Sequence, residues 1–302
     1  MSSILAVDFG GTKTALALVD ESGRVAGKQK LAAEHTLAGS MKQVVEFANA
    51  ARVERMGILV PGIYDSKTGE AWAPNLWGME RVPLRAAAEQ TLGMPVAIES
   101  DRTGYVLGEA WLGVARGLED VIFVSVGTGI GVGILAGGRV VEGARGIAGA
   151  AGWMAIGGPW KEEYRRCGGW ETEAAGPALA RRAGMESAEA VIAAAHGGDS
   201  KAREALDTTA DYLGLGIAAL ISVLNPEMVV LGGGLMQASD LLLERIRGNA
   251  LRWTQPVAAQ TTRIEKTALG EDAGLLGAAR LAMKKAGCQP AAGCQPAPQN
   301  NA

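Results

Sequence analysis

The stretch Ile4-Leu5-Ala6-Val7-Asp8-Phe9-Gly10-Gly11-Thr12-Lys13 decides how this chain is read. Four apolar residues make a strand, which ends in an acid, two glycines, a hydroxyl and an amine. Glycine lets the backbone approach a phosphoryl group closely and adopt positive φ, so the N–H groups of Gly10 to Lys13 can point at anionic oxygens. Thr12 adds a hydroxyl donor and Lys13 a compact positive charge. Asp8 suits a magnesium ion held through water, because magnesium favours oxygen ligands and keeps several waters. The same residues also suit an ordinary hairpin, Ile4–Val7 to Ala15–Val19, with a glycine turn.

Two further stretches repeat the pattern of apolar strand followed by glycines. Val121–Val126 leads into Gly127-Thr128-Gly129-Ile130-Gly131, and Met228–Leu231 into Gly232-Gly233-Gly234. Strand-then-glycine edges recur where nucleotides bind at the carboxyl ends of strands. Thr128 repeats the logic of Thr12, so two turns from two parts of the chain can grip one polyphosphate. Gly232–Gly234, with a helix over Ala238–Arg247 behind it, suits either an adenine and ribose or a tight strand-to-helix turn. Helical spacing over Leu84–Leu92, Thr103–Leu112 and Ala202–Leu224, the last ended by Asn225-Pro226, alternates with these strands and predicts an α/β fold.

Composition bounds the partners. The 302 residues are 48% apolar and 20% charged with a net charge of −3, which makes a globular chain long enough for two domains. That balance gives no electrostatic case for nucleic acid or an anionic membrane. The longest uncharged run, Val121–Gly138, is rich in glycine and reads as two strands around a turn rather than a membrane span. No charged segment followed by an apolar one opens the chain. Cys167, Cys288 and Cys294 make no disulfide framework, and a cytoplasmic protein is expected. Arg139–Gly158, small in side chain and without periodicity, reads as loops lining a cleft. Residues 287–302, polar and Pro-rich with Ala-Gly-Cys-Gln-Pro twice, read as a disordered tail.

Asp101 is the carboxylate of most interest. It follows the short strand Val96–Ile98 and opens a helix, where an Asp is a common N-cap contributing about 1 kcal/mol. It is equally placed to act as a general base toward a hydroxyl that attacks a γ-phosphate, a role worth roughly 10²–10⁴-fold in rate. The two roles are compatible.

Taken in order, these pieces resemble the ROK family (repressors, open reading frames and sugar kinases) of the actin-like ATPase superfamily. The resemblance rests on Asp8–Lys13, Pro61-Gly62, Pro74-Asn75-Leu76, Asp101 ahead of Leu107-Gly108-Glu109, and Gly127–Gly131. It continues through Gly143–Gly146 with Gly149, Glu171-Thr172 with Gly176–Ala180, Asn225-Pro226 with Val229–Gly234, and Ala273–Ala279. It implies two actin-like, ribonuclease H-like domains around a cleft, residues 1–111 and 112–286, with the last helix (about 272–286) packed back on the first. It also implies ATP and Mg²⁺, a hexose, amino sugar or related polyol as acceptor, Asp101 as base, and a homodimer. ATP is expected at Asp8, Gly10, Gly11, Thr12, Lys13, Gly127, Thr128, Gly129 and Gly232–Gly234. The acceptor is expected at Gly62, Asn75, Ser100, Asp101, Trp153 and Glu171. Repressor members resemble the chain too, but carry an N-terminal DNA-binding module, whereas this sequence opens on the phosphate strand.

The departures from the family pattern concern the acceptor side. Ser100 and Thr103 stand where family kinases usually carry Asn. Ala150 and Trp153 stand where they carry a sugar-binding Glu and a zinc-ligating His. Of the cysteine-rich zinc loop only Cys167 is present, off the ligand positions, and a lone thiol cannot make a closed four-ligand zinc site; zinc is not expected. Glu171 keeps the place of a second sugar-contacting Glu. Trp153 either offers an aromatic face to a sugar or, with Trp160 and Trp170, fills the space of the zinc loop. A kinase with an altered acceptor pocket and a non-catalytic sensor of the same fold are the two functions to separate.

Overall fold

The computed structural model describes residues 3–49 and 53–286; the expected disordered tail lies outside the described residues. Two five-stranded sheets form the frame. The first contains β1 (Ser3–Phe9), β2 (Lys13–Val19), β3 (Val25–Ala32), β4 (Val53–Val60) and, after a small hairpin of β5 (Ile63–Asp65) and β6 (Glu70–Trp72), β7 (Val96–Ser100). The second contains β8 (Val121–Val126), β9 (Ile130–Ala136), β10 (Arg139–Val140), β11 (Met228–Gly232) and β12 (Arg263–Lys266). The strand orders are β3-β2-β1-β4-β7 and β10-β9-β8-β11-β12. In each sheet the first three strands pair antiparallel and the last two join in parallel. One topology thus occurs twice, and β1 and β8 hold equivalent places.

The sequence explains this directly. β1 and β8 are apolar on nearly every residue because helices cover both faces. The uncharged run Val121–Gly138 is indeed two strands, paired from Val121 with Leu135 to Val126 with Ile130. The 25-residue helix Ser200–Leu224 is long and apolar enough by composition to span a bilayer, yet 56% of its most apolar window is buried in the fold. It stops at Asn225, whose φ of 46° is left-handed, a conformation asparagine tolerates.

Apolar side chains gather in three clusters. One lies on the outer face of the first sheet around Leu5, Phe9 and Met56, and one around the second sheet and Trp170. The third lies between the sheets, where Ile4 and Ala6 of β1 meet Val121 and Phe123 of β8 through Leu107, Leu275 and Leu276. Helices Asp101–Leu112 and Ala273–Ala286 cross in this middle layer. The crossing is backbone to backbone: a Cβ on Gly277 would stand 1.9 Å from the Gly104 carbonyl oxygen, and one on Gly57 1.9 Å from that of Ala278. Small residues there fix the approach of the two helices, and thereby the position of Asp101.

Candidate active site

The two equivalent hairpins aim their turns into one cleft. Between β1 and β2, Gly10 N–H donates to the Lys13 carbonyl at 2.9 Å, which leaves the N–H groups of Gly11 and Thr12 without a partner among the described residues. Thr12 and Lys13 are exposed, and Gly11 faces Asn75, whose carbonyl oxygen is 3.5 Å from where a Gly11 Cβ would stand. Between β8 and β9, Gly127 N–H donates to Gly129 O at 2.9 Å and Thr128 is exposed. Glu171, from helix Gly169–Ala174, closes the far side of this turn, its Oε2 accepting the Ile130 N–H at 2.7 Å. That oxygen would be 2.6 Å from a Cβ on Gly129, so the carboxylate takes the space glycine leaves. Burial pushes the Glu171 carboxyl above its ordinary range, against the Ile130 N–H and Cys167.

Two cavities of about 430 and 440 Å³ meet at Gly234. The first is lined by Asp8, Gly10, Lys13, Lys30, Tyr105, Ser125, Gly233, Gln237, Lys266, Thr267 and Glu271. The second is lined by Gly127, Thr128, Gly176, Pro177, Glu186, Ser187, Glu189 and Leu235. The three glycines at the end of β11 do different jobs. A Cβ on Gly232 would meet the Phe123 ring at 2.3 Å, so it is a packing residue. Gly233 has φ 89° against the Val126 carbonyl, and Gly234 faces open space. A 3₁₀ turn, Gly234–Ala238, comes before the helix, which runs over Ser239–Trp253.

Asp101 lies across from Asp8. Asp101 is not the N-cap expected from sequence: Ser100, extended at φ −65° and ψ 147°, holds that place and Asp101 is the first helical residue. Its Oδ1 accepts the Arg102 N–H at 2.7 Å and lies 3.2 Å from the Ser100 hydroxyl, which is 2.9 Å from the Gly62 carbonyl. Ser100, Asp101 and Gly62 therefore form one wall, and only glycine fits at position 62 because a Cβ there would strike the Trp72 carbonyl at 2.2 Å. Burial raises the Asp101 carboxyl, while the Arg102 N–H and charge and the Ser100 hydroxyl oppose it. Asp8 is pushed up to about 8, by burial first and then by the charge of Asp101. Its Oδ2 would be 2.0 Å from a Cβ on Gly274, and no described side chain or N–H donates to it. Tyr105, one turn beyond Asp101, is pushed up by the charge of Asp8 and by burial.

Trp153 is 59% exposed in the turn Ala151–Trp153, and Trp160 is 66% exposed, edge-on to Tyr164 at 5.8 Å. Neither fills space in the core; the fully buried tryptophan is Trp170, packed in the cluster around the second sheet with Nε1 donating to the Tyr212 carbonyl at 2.9 Å. The segment is held instead by Glu173, which collects Lys161 Nζ at 2.6 Å, the Tyr164 hydroxyl at 2.8 Å and Arg182 Nη2 at 3.2 Å.

Sequence reading missed Lys30, Tyr105, Gln237, Lys266 and Glu271 of the first cavity and Glu186, Ser187 and Glu189 of the second. One signal was available. β12 stands in the second sheet where β7 stands in the first, so the strand end that carries Lys266 and Thr267 opens on the same side as the one that carries Ser100 and Asp101.

The chain is similar to several known proteins. A glucokinase of Halalkalibacterium halodurans is 28% identical over 305 aligned residues, 90% of this chain and 92% of that protein. The bifunctional enzyme NanE/NanK of Brucella melitensis is 33% identical over 295 aligned residues, 93% of this chain and 54% of that protein. The crystal structure of a ROK family glucokinase from Streptomyces griseus, in complex with glucose and AMPPNP, matches with a TM-score of 0.78 and 30% identity. That match covers 94% of this chain and 100% of the other. Residues 4–285 match the family model itself, and the chain belongs to the ROK family.

Proposed function

We propose that this protein is an ATP-dependent carbohydrate kinase of glucokinase type, with Asp101 as the general base. One observation carries the reading: Asp8, which feels the charge of Asp101, lines a cleft that both glycine turns face. The unpaired N–H groups of Gly11 and Thr12 and the Thr128 turn suit a polyphosphate, which needs donors already aimed at its oxygens. The second cavity, with Glu186, Ser187 and Glu189, receives the nucleoside, a part for which the sequence alone offers Gly232–Gly234 as one of two readings of those glycines. Asp8 fits Mg²⁺: a carboxylate raised by burial and by a like charge, with no protein donor, gains from a cation beside it. The ion would supply charge neutralisation at the phosphates.

On the acceptor side, the Arg102 N–H and Ser100 hydroxyl orient the Asp101 carboxylate. With its basicity raised by burial, the carboxylate takes the proton of the acceptor hydroxyl as that oxygen attacks. Gly62, Asn75, Trp153 and Glu171 complete the acceptor site, residues 1–111 and 112–286 act as the two closing halves, and the cytoplasm supplies both substrates. The test is ADP release from Mg-ATP over a panel of hexoses, amino sugars and cyclitols. Turnover of one member is expected, with a loss of about 10²–10⁴-fold in Asp101→Asn. ATP-dependent thermal stabilisation without turnover of any acceptor would replace the kinase by a binding protein.

A further inference from the structure

The chain crosses between the two sheets twice, once over residues 113–120 on the way to β8 and once over residues 267–272 on leaving β12. Both crossings are anchored on one side chain. Glu109, in the last turn of the helix Asp101–Leu112, is fully buried. Its Oε2 accepts the Val114 N–H of the first crossing at 2.9 Å. Its Oε1 accepts the Thr267 hydroxyl and, at 3.2 Å, the Leu269 N–H of the second crossing. Both sides of the carboxylate are closely fitted. A Cβ on Gly113 would stand 1.9 Å from Oε2, and the Thr267 hydroxyl also accepts the Gly270 N–H at 3.1 Å. Three donors on two oxygens suit a carboxylate, which only accepts. An amide in its place would turn an NH₂ toward a donor.

These bonds bear on the candidate active site through the helix itself. Its first residue is Asp101, and Tyr105, one turn on, lines the first cavity with Asp8. About 12 Å from Asp101 along the axis, Glu109 holds the stretch in which Thr267, Gly270 and Ala273 line the same cavity and Gly274 closes on Asp8. The helix is therefore a strut from Asp101 to the wall that the second crossing builds, and Glu109 is the joint. Two connections free to flex independently would let the halves close in many relative positions, and each substrate would order the cleft for itself. Held at one point, they close along one path, and the first substrate prepares the cleft for the second. We propose that Glu109 is the pin about which the two halves turn, a positioning residue that keeps both crossings in one arrangement and so couples nucleotide binding to acceptor binding. This rests on the kinase reading above, in which residues 1–111 and 112–286 close on ATP and a sugar.

The test perturbs one crossing and reads the other. Thr267→Val keeps the shape of the side chain and removes its hydroxyl. In that variant, hydrogen exchange of residues 113–120 should quicken about 10- to 100-fold, the range of one hydrogen bond to a charged group, although Thr267 bonds to none of them. The acceptor that releases most ADP in the sugar panel should tighten AMPPNP binding to wild type by about 5- to 150-fold. Thr267→Val should lose most of that gain and about 10-fold in kcat, while AMPPNP alone binds as in wild type. Thr267→Ser, which restores the hydroxyl, should restore both. Glu109→Gln should act in the same direction and more strongly; if it does not fold, the two Thr267 variants decide. Weaker binding of AMPPNP alone with the gain intact would make Thr267 a nucleotide contact and overturn the proposal, as would quickened exchange confined to residues 267–272. If no acceptor releases ADP, the kinase reading fails, and the exchange of residues 113–120 in Thr267→Val by itself retains or removes the pin.

Discussion

Replacing Glu173 by Gln tests what holds the segment that carries Glu171. Glu173 is 7% exposed and gathers Lys161, Tyr164 and Arg182. Gln keeps its shape, removes the charge, and turns an NH₂ toward groups that are themselves donors. A hydrogen bond to a charged group contributes about 1.5–3 kcal/mol. The Lys161 side chain is 47% exposed, so its share is discounted to about 1 kcal/mol or less, whereas Arg182 at 22% and the buried Tyr164 hydroxyl keep larger shares. With non-additivity the loss is about 2–4 kcal/mol, or about 4–8 °C in melting temperature for a chain of this size. The pH dependence supplies a second check. Burial raises the Glu173 carboxyl, but the bonds from Lys161 and Tyr164 and the charges of Lys161 and Arg182 outweigh it and hold it below 4.5. A lowered acid pKa stabilises above the unfolded value and fades as pH falls through the folded one. The gap between wild type and Glu173→Gln should therefore be flat near neutrality and close below about pH 4.5. Melting is followed by fluorescence across pH. A variant within about 1 °C of wild type at about pH 7, against the several degrees expected, or a gap that widens in acid, would refute the reasoning.

Asp8 has the opposite sign. With an unfolded value of 3.8 and a folded one of about 8, the folded protein holds an extra proton between them, so its charge costs stability as pH rises through that window. Asp8→Asn should melt like wild type near about pH 4 and at progressively higher temperature than wild type toward about pH 9, while losing ADP release; a variant that falls behind with rising pH would show Asp8 to be charged and partnered. Trp153→Ala should change stability by no more than about 0.5 kcal/mol, since the side chain is 59% exposed, and should raise KM for the acceptor without raising that for ATP. A lowered melting temperature with unchanged KM would make Trp153 a packing residue.

What the sequence made legible was contiguous. Asp8–Lys13 and Gly127–Gly129 each carry strand, turn and donor in one run, so the local pattern and the site are the same residues. Asp101 was found for the same reason, but the N-cap place expected for it belongs to Ser100. Whether an acid caps a helix depends on the φ and ψ of one residue, and here Ser100 takes the extended conformation while the Asp101 carboxylate turns to the Arg102 N–H. β3 escaped notice because it is an edge strand exposed on both faces, Lys28-Gln29-Lys30, with no alternation to read. Its Lys30 lines the first cavity and pairs with Glu271, a residue 241 positions away. Distance along the chain is what hid the rest. Tyr105 comes to Asp8 only because helices 101–112 and 273–286 touch through Gly104 and Gly277, and Lys266 reaches the cleft only because β12 repeats β7.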